Sequence, residues 1–255
     1  MKKIVVANQK GGVAKTTTAV HLAVGLALAG KRTLLVDMDP QANATFLVLG
    51  NEPEADSVYD LLLCGRRALE VVRATRRPLL EIMPSNVKLA AAERELVGTV
   101  EGQKRLRASL GELDGLDRYD YMIVDAPPSL GLLTINALAA ADEVLIPVPS
   151  SIFALKGIQQ LEETIKMVRR ELSCPWLHIS GVLLTVYENT HVARDVRAAV
   201  EERFGSIVFR AAIPKTVKFE ESHGRALSLF EYAPDHAAAL AYRSFVEEVL
   251  HRGYT

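Results

Sequence analysis

The sequence has little from which a metal cage or a disulfide framework could be built. Its two cysteines, Cys64 and Cys174, are far apart and in no C-x-x-C spacing, so both are read as reduced thiols. No apolar run approaches the ~18 residues of a membrane-spanning helix. The run that follows Met1-Lys2-Lys3 gives out at Asn8, too soon for the apolar region of an export signal, and a cytoplasmic location is expected. Basic residues are not in excess: the formal net charge is −1, so any contact with nucleic acid needs a local basic patch. A linker rich in Pro, Gly or Ser is lacking, as is any internal repeat. What remains is a chain of 255 residues, 49% hydrophobic, able to bury a large core as one domain spanning residues 1–255.

Apolar, β-branched runs alternate with helical patterns almost to the end. Strands are predicted at Lys3–Ala7, Arg32–Asp37, Leu79–Pro84, Tyr121–Ala126, Glu143–Val148, Ile179–Thr185 and Ile207–Ile213. Helices are predicted at Lys15–Ala29, with Gly30 as a stop, and at Leu89–Leu110, Leu130–Ala140, Leu155–Leu172, Ala193–Arg203 and Asp235–His251. This order describes an α/β domain, a mostly parallel twisted sheet with helices on both faces. The stripe Ile158, Leu161, Ile165, Val168 and Leu172 marks a helix packed on that sheet. The basic run Arg66, Arg67, Arg73, Arg76 and Arg77 has no interleaved aromatics and is read as a solvated helix face.

Functional groups in such folds gather at the carboxyl ends of strands. After the first strand stands Lys10-Gly11-Gly12-Val13-Ala14-Lys15-Thr16-Thr17, which opens the first long helix. Strand, glycine turn, lysine and helix N-terminus form the context of a phosphate-binding loop: inward N–H groups and the helix dipole cradle anionic oxygens. Lys15 can reach β- and γ-phosphates, and the Thr16 hydroxyl can ligate magnesium. The general pattern G-x-x-x-x-G-K-[ST] fails twice, at Gln9 and at Ala14. The narrower pattern K-G-G-x-x-K-T-[ST] is met. Alanine at position 14 is tolerated at negative φ and costs energy at positive φ.

Two more strand ends are acidic: Asp37-Met38-Asp39-Pro40-Gln41, and Asp125-Ala126-Pro127-Pro128. Singly, an Asp before Pro can be a turn residue. Beside a phosphate loop, carboxylates can hold a metal's water shell and orient an attacking water.

With its K-G-G-V-A-K-T-T loop, D-x-D-P-Q and V-D-x-P-P motifs, the chain resembles the ParA/Soj branch of the deviant Walker A ATPases, relatives of MinD. The likeness continues through Ala139–Asp142, Leu145–Val148 and Phe153–Gly157 and covers most of the chain. It implies a P-loop ATPase that uses ATP and Mg2+, with Lys10, Gly11, Gly12, Val13, Ala14, Lys15, Thr16 and Thr17 holding the phosphates. Thr16, Asp39 and Asp125 make up the magnesium set, Asp39 also places the attacking water, and Asp37 supports it. Lys10 corresponds to the lysine that crosses to the nucleotide of the other subunit in an ATP-sandwich homodimer, acting as an arginine finger does. Lys10, Lys15 and Asp39 are thus the implied catalytic residues.

Where relatives carry I-P-R-N beside adenine, this chain has Ile213-Pro214-Lys215-Thr216. Pro214 and Thr216 are the implied base contacts, but a hydroxyl replaces an amide. ATP rather than GTP therefore follows from the resemblance, not from these residues. The resemblance further implies nonspecific DNA binding by the ATP dimer, a ParB-like centromere-binding partner that stimulates hydrolysis, and a place on the nucleoid. Arg194, Arg197, Lys215, Lys218 and Arg225 are the candidate DNA contacts, each of which can also be a solvated surface residue. Lys215 keeps the charge of the family's arginine without its bidentate fork.

Alternatives stay open. The same cycle can position another cargo, such as a microcompartment or a chemoreceptor array. A MinD-type membrane role calls for a basic amphipathic C-terminal helix. The end here, Tyr242–Arg252, carries acids and reads as a docked helix. A reductase like the nitrogenase iron protein needs cluster cysteines in positions that Cys64 and Cys174 do not match. Ala14 leaves room for a module that holds nucleotide without cleaving it, against which Asp39 argues.

Overall fold

The computed structural model describes residues 1–51, 56–151 and 154–252. An eight-stranded sheet runs through it in the order β3-β4-β2-β5-β1-β6-β7-β8. The strands are β1 (Lys2–Val6), β2 (Thr33–Asp37), β3 (Arg73–Ala74), β4 (Leu80–Met83), β5 (Tyr121–Asp125), β6 (Glu143–Pro149), β7 (His178–Tyr187) and β8 (Val208–Pro214). All pair in parallel except β3, a short antiparallel edge on β4 that the sequence reading missed.

Alternation along the strands feeds two cores. Val5, Val36 and Val124 face one side, and Ile4, Val6, Leu35 and Ile123 the other. The first side is covered by α3 (Val58–Leu63), α5 (Leu89–Val97), α6 (Arg105–Leu110), α7 (Leu132–Ala140) and α8 (Ala154–Glu171). The expected stripe on α8 is buried from Ile158 to Val168, with Leu172 just beyond. The second side is covered by α1 (Lys15–Leu28), α2 (Asn43–Leu49), α11 (Leu229–Tyr232) and α12 (Ala237–Arg252). Gly25 lets α1 and α12 approach closely, since a Cβ there would sit 2.5 Å from a Val246 methyl. With Tyr242, Phe245, Val246 and Val249 buried, α12 is docked as expected.

The helix predicted over Leu89–Leu110 is two helices. It breaks where Gly98, Thr99 and Val100 meet Glu101 at φ 56°, residues that hold an α-helix poorly. Asn136 then organises the restart, donating to Gly102 O at 2.7 Å and accepting from Leu106 N at 3.0 Å.

The arginine run is not a helix face. Arg66 pairs with Asp56, Arg67 with Glu112, and Arg73 lies in β3. The fifth, Arg77, is 8% exposed and forks onto Glu231 at 2.7 Å while donating to Val48 O at 3.1 Å. It ties the end of α2 to α11, a long-range tether that no local pattern records. The short α4 (Ala68–Val71) packs into the first core, and α10 (Lys218–His223) packs against the second through Phe219. Among the described residues, no helix is long and apolar enough to cross a membrane.

Candidate nucleotide site

β1 sits between β5 and β6, and the chain reverses its direction of travel across the sheet there, the place where open α/β sheets bind ligands. Register puts Asp125 of β5 level with Asp37 of β2 on one side and with Val6 of β1 on the other. Three strand ends far apart in the chain thus meet within two strand spacings.

The loop after β1 is fastened from three sides. Asn8 donates to Pro147 O at 2.7 Å and accepts from Lys10 N at 3.1 Å. Thr185 of β7 donates to Val13 O at 3.0 Å. Lys15 curls back to donate to Lys10 O at 2.9 Å. Gly12 has φ 71° and Ala14 has φ 62°, ψ 34°, both left-handed. The conditional reading of position 14 is therefore settled on its costly side: the alanine is strained, and it occupies the turn that glycine fills in the usual pattern. Asn8 and Thr185 were not singled out from the sequence. Asn8, one residue beyond an apolar strand run, is the one that the strand-end rule could have found.

Lys15 is buried, and that burial lowers its pKa, while Asp125 and Asp39 pull it back up. Asp125 is fully buried, and both its carboxyl oxygens lack a hydrogen-bond partner among the described residues. Burial, and then Asp37, push its pKa well above the ordinary value, with Thr16 and Lys15 beside it opposing. An orphaned carboxyl, a hydroxyl and an ammonium facing one another are a donor set that fits a magnesium–phosphate group.

Asp37 differs. Its Oδ1 accepts from Asp39 N at 3.0 Å, and its Oδ2 from Thr45 N at 2.8 Å and Thr45 Oγ1 at 2.7 Å. It clamps the segment that carries Asp39 onto the start of α2, and burial raises its pKa to about 6. Asp39 is 7% exposed; its Oδ1 accepts from Gln41 N at 2.9 Å and its backbone carbonyl from Ser85 Oγ at 2.7 Å. Ser85, just past β4, stands in no motif, and only the fold brings it to this segment. Ala42, opening α2, is left-handed as well, at φ 54°.

A cavity of about 470 Å³ joins these parts. Gly11, Gly12, Ala14, Lys15, Thr16, Thr17 and Asp39 line it, together with Pro214, Thr216, Phe219 and His223. Of the expected phosphate-loop, metal and base residues, Lys10, Val13 and Asp125 are not in its lining; Val13 and Asp125 are buried behind it. Lys10 is exposed on the rim, its Nζ donating to Ser151 Oγ at 3.2 Å. Phe153, part of the likeness quoted above, lies outside the described residues.

The expected DNA residues are dispersed. Arg194 and Arg197 are on α9 (His191–Phe204), Lys215 follows β8, Lys218 opens α10, and Arg225 stacks on Tyr232 at 5.2 Å. Carboxylates engage three of the five: Arg197 with Glu201, Lys215 with Glu188 and Lys218 with Glu221.

Comparison with known proteins agrees with this geometry. A family model described as an AAA domain matches residues 1–178. The sporulation initiation inhibitor protein Soj of Bacillus subtilis is 41% identical over 256 residues, 99% of both chains. The chromosome partitioning protein ParA of Caulobacter vibrioides is 38% identical over 258 residues, 99% of this chain and 95% of that one. Among solved structures, a cobyrinic acid a,c-diamide synthase from Mycobacterium smegmatis, with bound ADP and magnesium, superposes with a TM-score of 0.83 at 35% identity, covering 100% and 96% of the two chains. A Cyanothece McdA variant in complex with ATP superposes with a TM-score of 0.86 at 25% identity, covering 98% and 96%. The phosphate loop, the paired acidic strand ends and full-length similarity coincide, and the chain belongs to the ParA/Soj family of partitioning ATPases.

Proposed function

We propose that this chain is an ATP-dependent dimerising ATPase that rides on nonspecific DNA and, with a ParB-like partner, segregates a chromosome or plasmid. The observation that carries this reading is the division of the site. Lys15, Thr16, Asp39 and Asp125 converge on one phosphate-end cluster, while Lys10 stands exposed on its rim. A lysine so placed is available to a facing copy, as charge stabilisation in trans requires.

In this reading the loop amides and Lys15 hold the β- and γ-phosphates, and Thr16, Asp39 and Asp125 hold magnesium. The bound ion supplies charge neutralisation on the phosphate oxygens. Asp39 orients the attacking water, its backbone fixed by Asp37 and Ser85. Arg194, Arg197, Lys215, Lys218 and Arg225 are the proposed DNA contacts, and the protein works in the cytoplasm on the nucleoid.

The test is duplex-DNA binding by the purified protein with ATP, ADP or no nucleotide, across a salt series. Binding that needs ATP and falls steeply with salt is expected. Asp39→Ala should bind ATP, accumulate as a dimer and not hydrolyse; Lys10→Ala should lose both dimer and turnover. DNA binding indifferent to nucleotide, or full turnover by Lys10→Ala, refutes the reading.

A further inference from the structure

We propose that His223 reads the nucleotide base, its Nε2 accepting a hydrogen bond from the exocyclic amino group of adenine. This rests on the nucleotide reading of the cavity given above. His223 ends α10, one turn after Phe219, so both side chains fall on one face, and both line the cavity. Phe219 is held edge-on by the buried ring of His21, with centroids 5.7 Å apart at 89°. His21 is itself fixed by Thr17 O at 2.7 Å and Leu229 N at 3.0 Å. The wall that carries His223 is therefore braced against the helix that begins at the phosphate loop.

The Nε2 of His223 is enclosed and has no hydrogen-bond partner among the described residues. The residue lines the cavity, and a small turn of the ring would present this unpaired nitrogen to a bound base. Burial lowers the pKa of this imidazole, so the ring is neutral and one nitrogen offers a lone pair. Thr216, which lines the cavity with His223, Lys215 and Glu220, already accepts from Lys218 N at 3.2 Å, which leaves its hydroxyl proton to donate. A donor and an acceptor lining one cavity can complement adenine, which presents a ring acceptor and an amino donor on one edge. Guanine presents two acceptors there and would set its carbonyl against the imidazole lone pair. The adenine preference that Pro214 and Thr216 alone could not supply thus acquires a group able to enforce it.

The test is calorimetry of the full chain with magnesium and ATP, GTP or purine riboside triphosphate, which lacks the amino group. Wild type should bind ATP about tenfold more tightly than the purine analogue, the value of one neutral hydrogen bond. His223→Phe should lose about that factor for ATP while changing affinity for the analogue by less than about twofold. His223→Gln, whose amide oxygen can accept, should keep most of the preference. Equal weakening of ATP and analogue in His223→Phe would assign the ring to packing and overturn the proposal. A wild-type ratio near one overturns it even where a variant fails to fold. Failure of the wild type to bind any triphosphate overturns the nucleotide reading as well, whereas binding without base preference overturns only the role of His223.

Discussion

Ala14 gives a prediction whose size can be worked from the backbone. At φ 62°, ψ 34° its Cβ crowds the following carbonyl, a conformation that costs an L-residue roughly 1–2 kcal/mol relative to glycine. Ala14→Gly removes that strain. It also loosens the unfolded chain, which returns about 0.4–1 kcal/mol. The balance is a net gain of about 0.5–1 kcal/mol in apo stability. Unfolding entropy of about 2.1 cal/mol/K per residue, over this chain length, makes 1 kcal/mol worth about 2 °C. Ala14→Gly should therefore melt about 1–2 °C higher than wild type by calorimetry without nucleotide. Ala14→Val provides the contrast, since a β-branched residue is a genuine outlier at positive φ. It should melt lower than wild type and weaken ATP binding, because Ala14 lines the cavity. Ala42→Gly, at φ 54°, should gain by a similar amount. A lower melting temperature for Ala14→Gly, or wild-type stability for Ala14→Val, would show that the loop does not hold the left-handed turn.

Two further perturbations test the tertiary wiring. Arg77→Met removes a buried fork from Glu231 and strips the Val48 carbonyl of its donor, and should cost about 2–4 kcal/mol in urea unfolding; a loss under about 1 kcal/mol would mean that the tether is solvated. Burial lowers the pKa of His21 from 6.5 to about 3, so its stabilising contribution is complete above pH 6.5 and falls as acid protonates the unfolded chain first. Between about pH 7.5 and 5 the wild type should lose about 2 kcal/mol from this residue, and His21→Gln should not, so their stability curves should converge on acidification. Parallel curves would place the imidazole in water.

Much of this was legible in order along the chain. Alternating apolar runs gave β1, β2 and β4 to β8 because a buried parallel strand must be apolar on both faces. The phosphate loop and Asp37, Asp39 and Asp125 were visible because a P-loop's chemistry is local: the turn, the lysine and the strand-end acid each lie within a few residues of a strand. Short α2, α3, α4, α10 and α11 were missed, for one or two turns carry no periodicity and are held by caps and tertiary contacts such as Ser57 with Asp60 and Ser228 with Glu231.

The sequence by itself determined the family of the fold and which residues would carry charge at the site, since those follow from side-chain type and spacing. Only the tertiary structure decided their states. Asp37 and Asp125 look alike as strand-end acids, yet one is saturated by Thr45 and the Asp39 amide, while the other, with Thr16 and Lys15 beside it, has no hydrogen-bond partner among the described residues. Arg77 and Arg66 belong to one basic run, yet the first is sealed beneath α11 and the second is exposed. Position 14 could be either permissive or strained until φ was known. Charge state, strain and solvation depend on what arrives from distant parts of the chain, and spacing along the chain does not encode that arrival.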